Sequence, residues 1–155
     1  MPATGFARHD HAVCVRGAMR NALDACAAGD LRMTPVRRRV LEILLESHVA
    51  LGAYDVLSRL DAEGLGSKPP VAYRALGFLV DHGFAHRIER LNAFVACVRP
   101  GIDHTPAFMI CRTCRTVAEE QAGTPLRQAA ANSGFAIEQT VIEAEGLCPA
   151  CQVAL

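Results

Sequence analysis

The sequence lacks a long apolar run near its start. Its first thirty residues alternate Arg, His and Asp with small apolar side chains, so they contain neither a signal-peptide core nor a membrane-spanning stretch. We therefore expect a cytoplasmic protein with no membrane partner. In that reducing compartment the seven cysteines do not suggest a disulfide framework, and metal binding or redox chemistry becomes the leading explanation for them.

The sequence also lacks net charge, since 16 basic residues balance 16 acidic ones. The balance is uneven along the chain: residues up to Pro100 hold 13 basic and 10 acidic side chains, and the remainder holds 3 and 6. A basic first half suits a polyanionic partner, and an acidic second half suits a metal or a protein. With 155 residues, 51% of them hydrophobic, the chain has material for two small cores.

Three short helices are predicted in the first half. Thr34, which precedes a proline, is the N-cap of the first. The second has apolar residues at i, i+3, i+4 and i+7 from Ala53 and stops near residues 64–66, which include two glycines. The third begins at Pro69 and ends at Gly83.

Two strand-like runs follow, at 84–89 and 94–98, around a turn at 91–93. Helices followed by a hairpin are the layout of a winged helix. The second half predicts a small α+β unit, and we expect its elements to be strands at 107–111 and 116–120, a helix from Thr124-Pro125 to near Gly134, and a strand at 135–145.

The predicted fold class is thus α+β with two domains. Residues 1–97 form the winged-helix domain and residues 107–155 the second domain. Residues 98–106 form the hinge, because Arg99-Pro100-Gly101 interrupts periodic structure.

Four of the cysteines form two close pairs, Cys111-x2-Cys114 and Cys148-x2-Cys151. Two residues between thiolates let both sulfurs lie about 2.3 Å from one Zn²⁺, so two pairs complete a tetrahedron. A strand–helix–strand excursion could bring the pairs together, and a site closed by four thiolates is structural. The alternatives are two independent redox dithiols or plain buried thiols.

The third predicted helix carries an exposed aromatic and a basic side chain, Tyr73 and Arg74, close to its start. In a helix-turn-helix, the first residues of the second helix reach base edges, where Arg can bind guanine and Tyr can touch a thymine methyl or a phosphate. Four further basic residues are candidates for phosphate contacts: Lys68, Arg32, Arg37 and Arg39. The alternative is an ordinary solvated helix face.

From about residue 14 to 152 the chain resembles the ferric-uptake-regulator family, and in particular its zinc uptake regulator branch. The matching stretches are LRMTPVRRRVLEIL, AYDVLSRL, KPPVAYRALGFLVDHGFAHRIE, FMICRTCRTVAEE and GFAIEQTVIEAEGLCPAC. The resemblance implies a winged-helix DNA-binding domain, a hinge and an α/β dimerisation domain. It also implies a homodimer that binds palindromic double-stranded operator DNA when its regulatory metal is bound, and that has no small-molecule substrate.

The resemblance assigns one structural zinc per chain to the four cysteines and one regulatory zinc to His86, Cys97, His104 and Glu119. Without it, each of these four has an ordinary alternative: a core histidine, a buried thiol, a loop histidine, and a strand carboxylate exchangeable with Glu120. The soft Cys97 thiolate favours zinc over iron, manganese or nickel.

Three residues near the start, His9, His11 and Cys14, match no motif of the family, and we expect them to lie in a mobile N-terminus. Cys26 has no predicted role. The competing functions from other classes are a Cys-x-x-Cys redox protein and a zinc-stapled interaction module that does not bind DNA.

Overall fold

A computed structural model describes residues 5–98, 100, 105–123 and 125–153. The elements in chain order are α1 (His11–Ala28), α2 (Pro35–Leu45), α3 (Ala53–Ala62), α4 (Pro69–Asp81), β1 (Ala85–Ile88), a 3-10 turn (Glu89–Leu91), β2 (Ala93–Ala96), β3 (Pro106–Cys111), β4 (Val117–Gln121), α5 (Pro125–Ser133), β5 (Glu143–Gly146) and α6 (Pro149–Val153). Most of the predicted hinge, and Thr124, lie outside the described residues.

The three helices predicted in the first half are present. The Thr34 hydroxyl caps α2 by accepting from the Arg37 backbone N–H at 3.3 Å. The chain leaves α3 through Gly64, whose φ is +71°, and leaves α4 through Gly83, whose φ is +76°. Both glycines adopt the left-handed conformation that other residues avoid, so they end their helices.

The predicted mobile N-terminus is wrong, because the chain there forms the 18-residue helix α1. The Asp10 carboxylate caps this helix by accepting from two backbone N–H groups, those of Ala12 at 3.0 Å and Val13 at 3.3 Å. The buried face of α1 consists of Ala18, Ala22 and Cys26. Their four-residue spacing places them on one side of the helix, but side chains this small produce little hydrophobic periodicity in the sequence.

The main core lies among α1 to α4 and the hairpin of β1 and β2. Its fully buried residues of largest volume come from three of these elements and the turn before β1: Leu41, Ile43 and Leu44 of α2, Leu60 of α3, Leu76 and Leu79 of α4, and Phe84. In the hairpin, β1 and β2 are antiparallel, and Asn92 makes the turn with a φ of +46°. This is the predicted winged-helix arrangement, with strands shorter than expected: Cys97 follows β2 instead of lying in it.

The second unit has a three-stranded sheet in the order β4-β3-β5. The central strand β3 is antiparallel to β4 and parallel to β5. The predicted strand at 135–145 is wrong in its first part, because only β5 is extended and paired, and residues 135–142 run outside any strand. Phe135, Ile137 and Val141 in that stretch are exposed. Their apolar side chains therefore do not pack against the core of this chain, as those of a half-buried strand would.

A second, smaller core joins the two units. Ile88 and Val95 of the hairpin pack against Phe108, Ile110 and Val117 of the sheet. Backbone N–H groups in the 3-10 turn also donate to the Glu143 carboxylate, that of Glu89 at 2.6 Å and that of Arg90 at 3.0 Å. The hairpin is therefore docked on the sheet by both apolar and polar contacts. Among the described residues, no helix is long and apolar enough to span a membrane.

We expect Ala22→Glu to destabilise the protein by at least about 2 kcal/mol, because Ala22 is fully buried and a carboxyl group there would be desolvated without a partner. The matched control is Asn21→Glu, since Asn21 is the exposed neighbour on the same helix, and its effect should stay within about 0.5 kcal/mol. Urea unfolding of both variants measures the difference. Equal effects of the two substitutions would show that α1 is not part of the folded core.

Candidate metal centres and nucleic-acid interface

The parallel pairing of β3 and β5 brings the two cysteine pairs together. Cys111 is the last residue of β3, and its partner across the sheet is Gly146, two residues before Cys148. Cys114 lies in the turn after β3, where Arg115 reverses the chain with a φ of +62°. Cys148 and Cys151 lie at the start of α6. The 33 residues between the pairs thus form the expected excursion: a strand, a helix, and a return to the same sheet.

The four sulfurs have the spacing of ligands around one ion. All four lie within 4.8 Å of one another, and the two from different pairs, Cys114 Sγ and Cys148 Sγ, are 3.7 Å apart. Four thiolates about 2.3 Å from a zinc ion are separated by about 3.8 Å. The site can therefore hold zinc in a closed tetrahedron.

The protonation of these thiols is set by their hydrogen bonds. Backbone N–H groups, first that of Cys148 and then that of Cys114, lower the pKa of Cys111 to about 6. The Thr116 hydroxyl, 3.2 Å from Cys114 Sγ, lowers the pKa of Cys114. The hydrogen bond with Cys148 and then burial raise the pKa of Cys151 to about 12. Amide donors aimed at sulfur favour the thiolate, which is the form that binds zinc.

A second group of ligands lies where the hairpin meets the sheet. His86 on β1, Cys97 after β2 and Glu119 on β4 place their ligand atoms within 4.8 Å of one another. His86 Nε2 is 3.1 Å from Glu119 Oε1, and Cys97 Sγ is 3.8 Å from the same oxygen. The Val98 backbone N–H donates to Glu119 Oε2 at 3.2 Å. Two ligands from the first unit thus meet one from the second.

Glu119, and not Glu120, faces this group. Glu119 is 6% exposed and pairs with Phe108 of the neighbouring strand β3, whereas Glu120 points to the other face and is partly exposed. Cys97 is 1% exposed, and the His86 ring lies 5.2 Å from that of Phe108. Imidazole, thiolate and carboxylate are the donors that zinc takes in proteins. The predicted fourth ligand, His104, lies outside the described residues.

The predicted base-reading side chains are at the front of α4. Tyr73 is 49% exposed and Arg74 is exposed beside it, while their neighbours Ala72 and Ala75 are buried. Lys68 is the exposed N-cap residue of the same helix. The start of α4 thus presents an aromatic ring and two cations to solvent, and Arg32, before α2, is also exposed.

Two of the predicted phosphate contacts are held by other groups. The Arg39 guanidinium pairs with Glu63, with Nη2 2.6 Å and Nε 2.8 Å from its two carboxylate oxygens. The Arg37 guanidinium lies 3.8 Å from the centre of the Phe78 ring and donates to the Arg32 carbonyl at 2.6 Å. These contacts connect α2 to α3 and α4, so both side chains stabilise the packing of the helices.

A third group of possible metal ligands contains three residues to which the sequence assigned no function and one, His48, that was not predicted at all. His9, His11, Cys14 and His48, which we call the N-terminal histidine cluster, have ligand atoms within 4.8 Å of one another. His48 lies in the segment between α2 and α3, far along the chain from the other three. An N-cap at Asp10 would have predicted a helix that starts at His11 and brings the first three residues close together. No feature of the sequence indicates that His48 lies beside them.

A winged-helix unit docked on a cysteine-bearing α+β unit, with candidate ligands from both at their junction, is the arrangement of a DNA-binding regulator of the metal-sensing type. No protein-family model matches the sequence. The zinc uptake regulation protein of Escherichia coli K12 is 42% identical, over 81% of this chain and 76% of its own length. The chain therefore belongs to the zinc uptake regulator family, and it is a regulator and not an enzyme.

Solved structures show the same likeness. A zinc uptake regulator in complex with zinc and DNA matches with a TM-score of 0.84 at 38% identity, over 90% of this chain and 96% of that one. The holo form of XcZur matches with a TM-score of 0.77 at 33% identity, over 93% and 99% of the two chains. Its apo form gives only 0.52 at 36% identity, over 89% and 97%. By TM-score the chain is thus more similar to the zinc-bound and holo structures than to the apo one.

If the junction group holds zinc, we expect Glu119→Gln to weaken that binding by at least about 10-fold, because the substitution removes the negative charge of a buried candidate ligand. The matched control is Glu120→Gln, which removes the same charge from the adjacent, more exposed position and should leave affinity unchanged. Competition with a chromophoric zinc chelator measures both variants. If the two lose affinity equally, the carboxylate acts through general charge and is not a ligand.

Proposed function

We propose that this protein is a zinc-responsive repressor that binds palindromic operator DNA as a homodimer. In this proposal Cys111, Cys114, Cys148 and Cys151 hold a structural zinc, and His86, Cys97, His104 and Glu119 hold a regulatory one. The observation that carries the proposal is the junction of the two units, where His86 and Cys97 approach Glu119 within hydrogen-bond or sulfur-contact distance.

The junction residues account for a switch because they belong to both units. A zinc ion held by them would cross-link the hairpin and the sheet. Cys97 as a thiolate and Glu119 would together neutralise a divalent cation at a buried position, and His86 and His104 would supply the two remaining donors. The likeness to holo XcZur and not to its apo form supports a metal-loaded arrangement of the two units.

The donor set also supports zinc over the other metals sensed by related proteins. Iron and manganese sites lean on oxygen and nitrogen ligands, whereas a thiolate such as Cys97 selects softer ions. Operator binding titrated against buffered free zinc, with iron and manganese as controls, tests this choice. A response to iron alone would contradict the zinc assignment.

The four-cysteine site supports the second zinc and disfavours a redox function. Cys148 and Cys151 do open a helix after a strand, as a redox dithiol would. However, the sulfurs of the other pair lie beside them, within 4.8 Å, and four thiols in one tetrahedral group suit a structural ion better than two-electron exchange.

The DNA-binding proposal rests on the start of α4. Arg74 and Tyr73 are the proposed base-reading residues, and Lys68 and Arg32 are the proposed phosphate contacts, because all four are exposed on the first unit. Arg37 and Arg39 are expected to hold α2 against α4 and α3 instead, through their contacts with Phe78 and Glu63 respectively. A regulator of this kind acts in the cytoplasm, where the chromosome is.

The homodimer proposal is supported by an uncovered apolar surface on the second unit. Leu126 is 53%, Phe135 68% and Val141 53% exposed. Phe135 and Val141 belong to the stretch 135–142, whose backbone lies outside any strand of this chain, and Leu126 of α5 lines the same cavity as both. A second copy of the same surface would cover these side chains symmetrically.

We expect Arg74→Ala to weaken operator binding by about 1–3 kcal/mol, the usual cost of losing a bidentate contact to a base. The operator is first obtained by selecting duplexes from a random pool with the zinc-loaded wild type. The control variant is Arg127→Ala, which removes an exposed arginine from the second unit. An equal loss on operator and random DNA would mean that Arg74 contacts only the backbone.

The two proposed zinc sites should fail differently. Cys148→Ser removes one of four structural ligands, and because structural zinc contributes about 10–16 kcal/mol in small zinc-finger peptides, the second unit should loosen and the dimer dissociate. Cys97→Ser should leave a folded dimer whose operator binding no longer responds to zinc, since zinc and DNA affinities are coupled through the junction. Zinc content, sedimentation and zinc-dependent gel shifts compare the two variants.

The opposite pattern would contradict the assignment of the sites. If Cys97→Ser loses its dimer while Cys148→Ser still binds the operator in a zinc-dependent way, the structural and regulatory roles are exchanged.

A further inference from the structure

We propose that the N-terminal histidine cluster, His9, His11, Cys14 and His48, is a third metal site, which takes zinc or another divalent ion of similar softness. It shares no residue with the two sites described above. Its occupancy would fix the start of α1 to the segment between α2 and α3.

The local structure of α1 holds three of the four side chains in place. His11 is the first residue of the helix and Cys14 is three residues later, so they share one face. His9 directly precedes the Asp10 cap, whose hydrogen bonds fix the first turn. The fourth side chain, His48, comes from a segment that is itself held, because the His48 carbonyl accepts from the Val117 N–H of β4 at 2.8 Å.

The hydrogen bonds of His9 and His11 each leave one ring nitrogen with a lone pair that can bind a metal. His9 Nδ1 lies 2.9 Å from the Ala7 carbonyl, which can only accept, so the proton of a neutral His9 is on Nδ1 and the lone pair is on Nε2. That Nε2 atom faces His48 Nε2 at 3.2 Å. His11 Nε2 lies 2.8 Å from the Leu45 carbonyl and is likewise a donor, which leaves the lone pair on Nδ1. A carbonyl on the far nitrogen is the usual way that proteins orient a metal-binding histidine.

The distances suit a small tetrahedral site. Bonds of about 2.0–2.3 Å to nitrogen and sulfur place neighbouring ligands about 3.3–3.8 Å apart. The two Nε2 atoms of His9 and His48 are close to that separation, and the three imidazole rings have centroids 5.0 to 5.6 Å apart. Small rotations of partly exposed side chains would close the remaining gaps.

The donor types decide which ion fits. Three imidazoles and one thiol are nitrogen and sulfur donors, which favour zinc over magnesium, calcium or manganese. Burial, and then the proximity of His11 and His9, lower the pKa of His48. A Cys14 thiolate would carry the one negative charge of the set.

The cluster also lies next to the junction of the two units. His11, Cys14 and His48 line a small cavity together with Cys97 and Val98. Val117, which holds His48, is two residues from Glu119 on the same strand. An ion in the cluster would therefore order the first turn of α1 against the same part of β4 that carries the proposed regulatory ligand.

The experiment measures zinc per chain on the full-length protein equilibrated with chelator-buffered zinc, by atomic emission after gel filtration. We expect His48→Gln and Cys14→Ser each to bind one zinc ion fewer than the wild type. The matched control is His82→Gln, which removes an exposed histidine outside the cluster and should bind as many as the wild type. Amide hydrogen exchange should show zinc-dependent protection of residues 11–14 in the wild type, absent from His48→Gln.

A spectroscopic readout separates this site from the junction. In the Cys97→Ser variant, loaded beforehand with zinc in the four-cysteine site, added cobalt should still produce a thiolate-to-cobalt absorption band, and Cys14→Ser in the same background should abolish it. The proposal is overturned if His48→Gln binds as much zinc as the wild type, or if the cobalt band in the Cys97→Ser background persists without Cys14. Failure of the junction site would instead show as unchanged zinc content in Cys97→Ser.

Discussion

The structure depends on a carboxylate that is almost completely buried between two units. Glu119 reaches the junction from β4, and an ionised carboxylate in such a place costs several kcal/mol unless cations and donors surround it. The Val98 N–H, the His86 ring and the Cys97 thiol are the groups around it. Those groups belong to the first unit or to the residues directly after it. Glu119 therefore has its polar partners only while the hairpin is docked on the sheet.

Apolar and polar contacts around this junction fix the relative positions of its residues. Ile88 and Val95 pack directly on Phe108 and Ile110, and the Glu143 carboxylate holds the 3-10 turn at the end of β1. The junction ligands thus lie between a packed core on one side and a polar clamp on the other. The proposed regulatory site would span the two units in this way, so its affinity for zinc would depend on how they lie relative to one another.

Much of this could be predicted from the sequence. Capping and glycine signals gave α2 to α4 close to their observed bounds, because Thr34 and Gly83 act locally. The Cys-x2-Cys spacing predicted a group that the sheet does assemble. Three features depend instead on contacts between residues far apart in the sequence. Strand pairing decides that Glu119 and not Glu120 faces the junction, and α1 packs through alanines, which produce little hydrophobic periodicity. His48 approaches His9 only because the chain folds back on itself. The stretch 135–142 was misjudged because its apolar side chains face outward.

The parallel pairing of β3 with β5 has a consequence for the order in which the chain folds. A parallel pair cannot close as a hairpin, so the sheet and the four-cysteine group form only after β4, α5 and β5 have all been made. The core of α1 to α4 and its hairpin has no such dependence and can form during synthesis. The growing chain would thus contain a folded helical unit before the sheet exists. Until the sheet forms, the apolar face of the hairpin that includes Ile88 would be exposed to solvent.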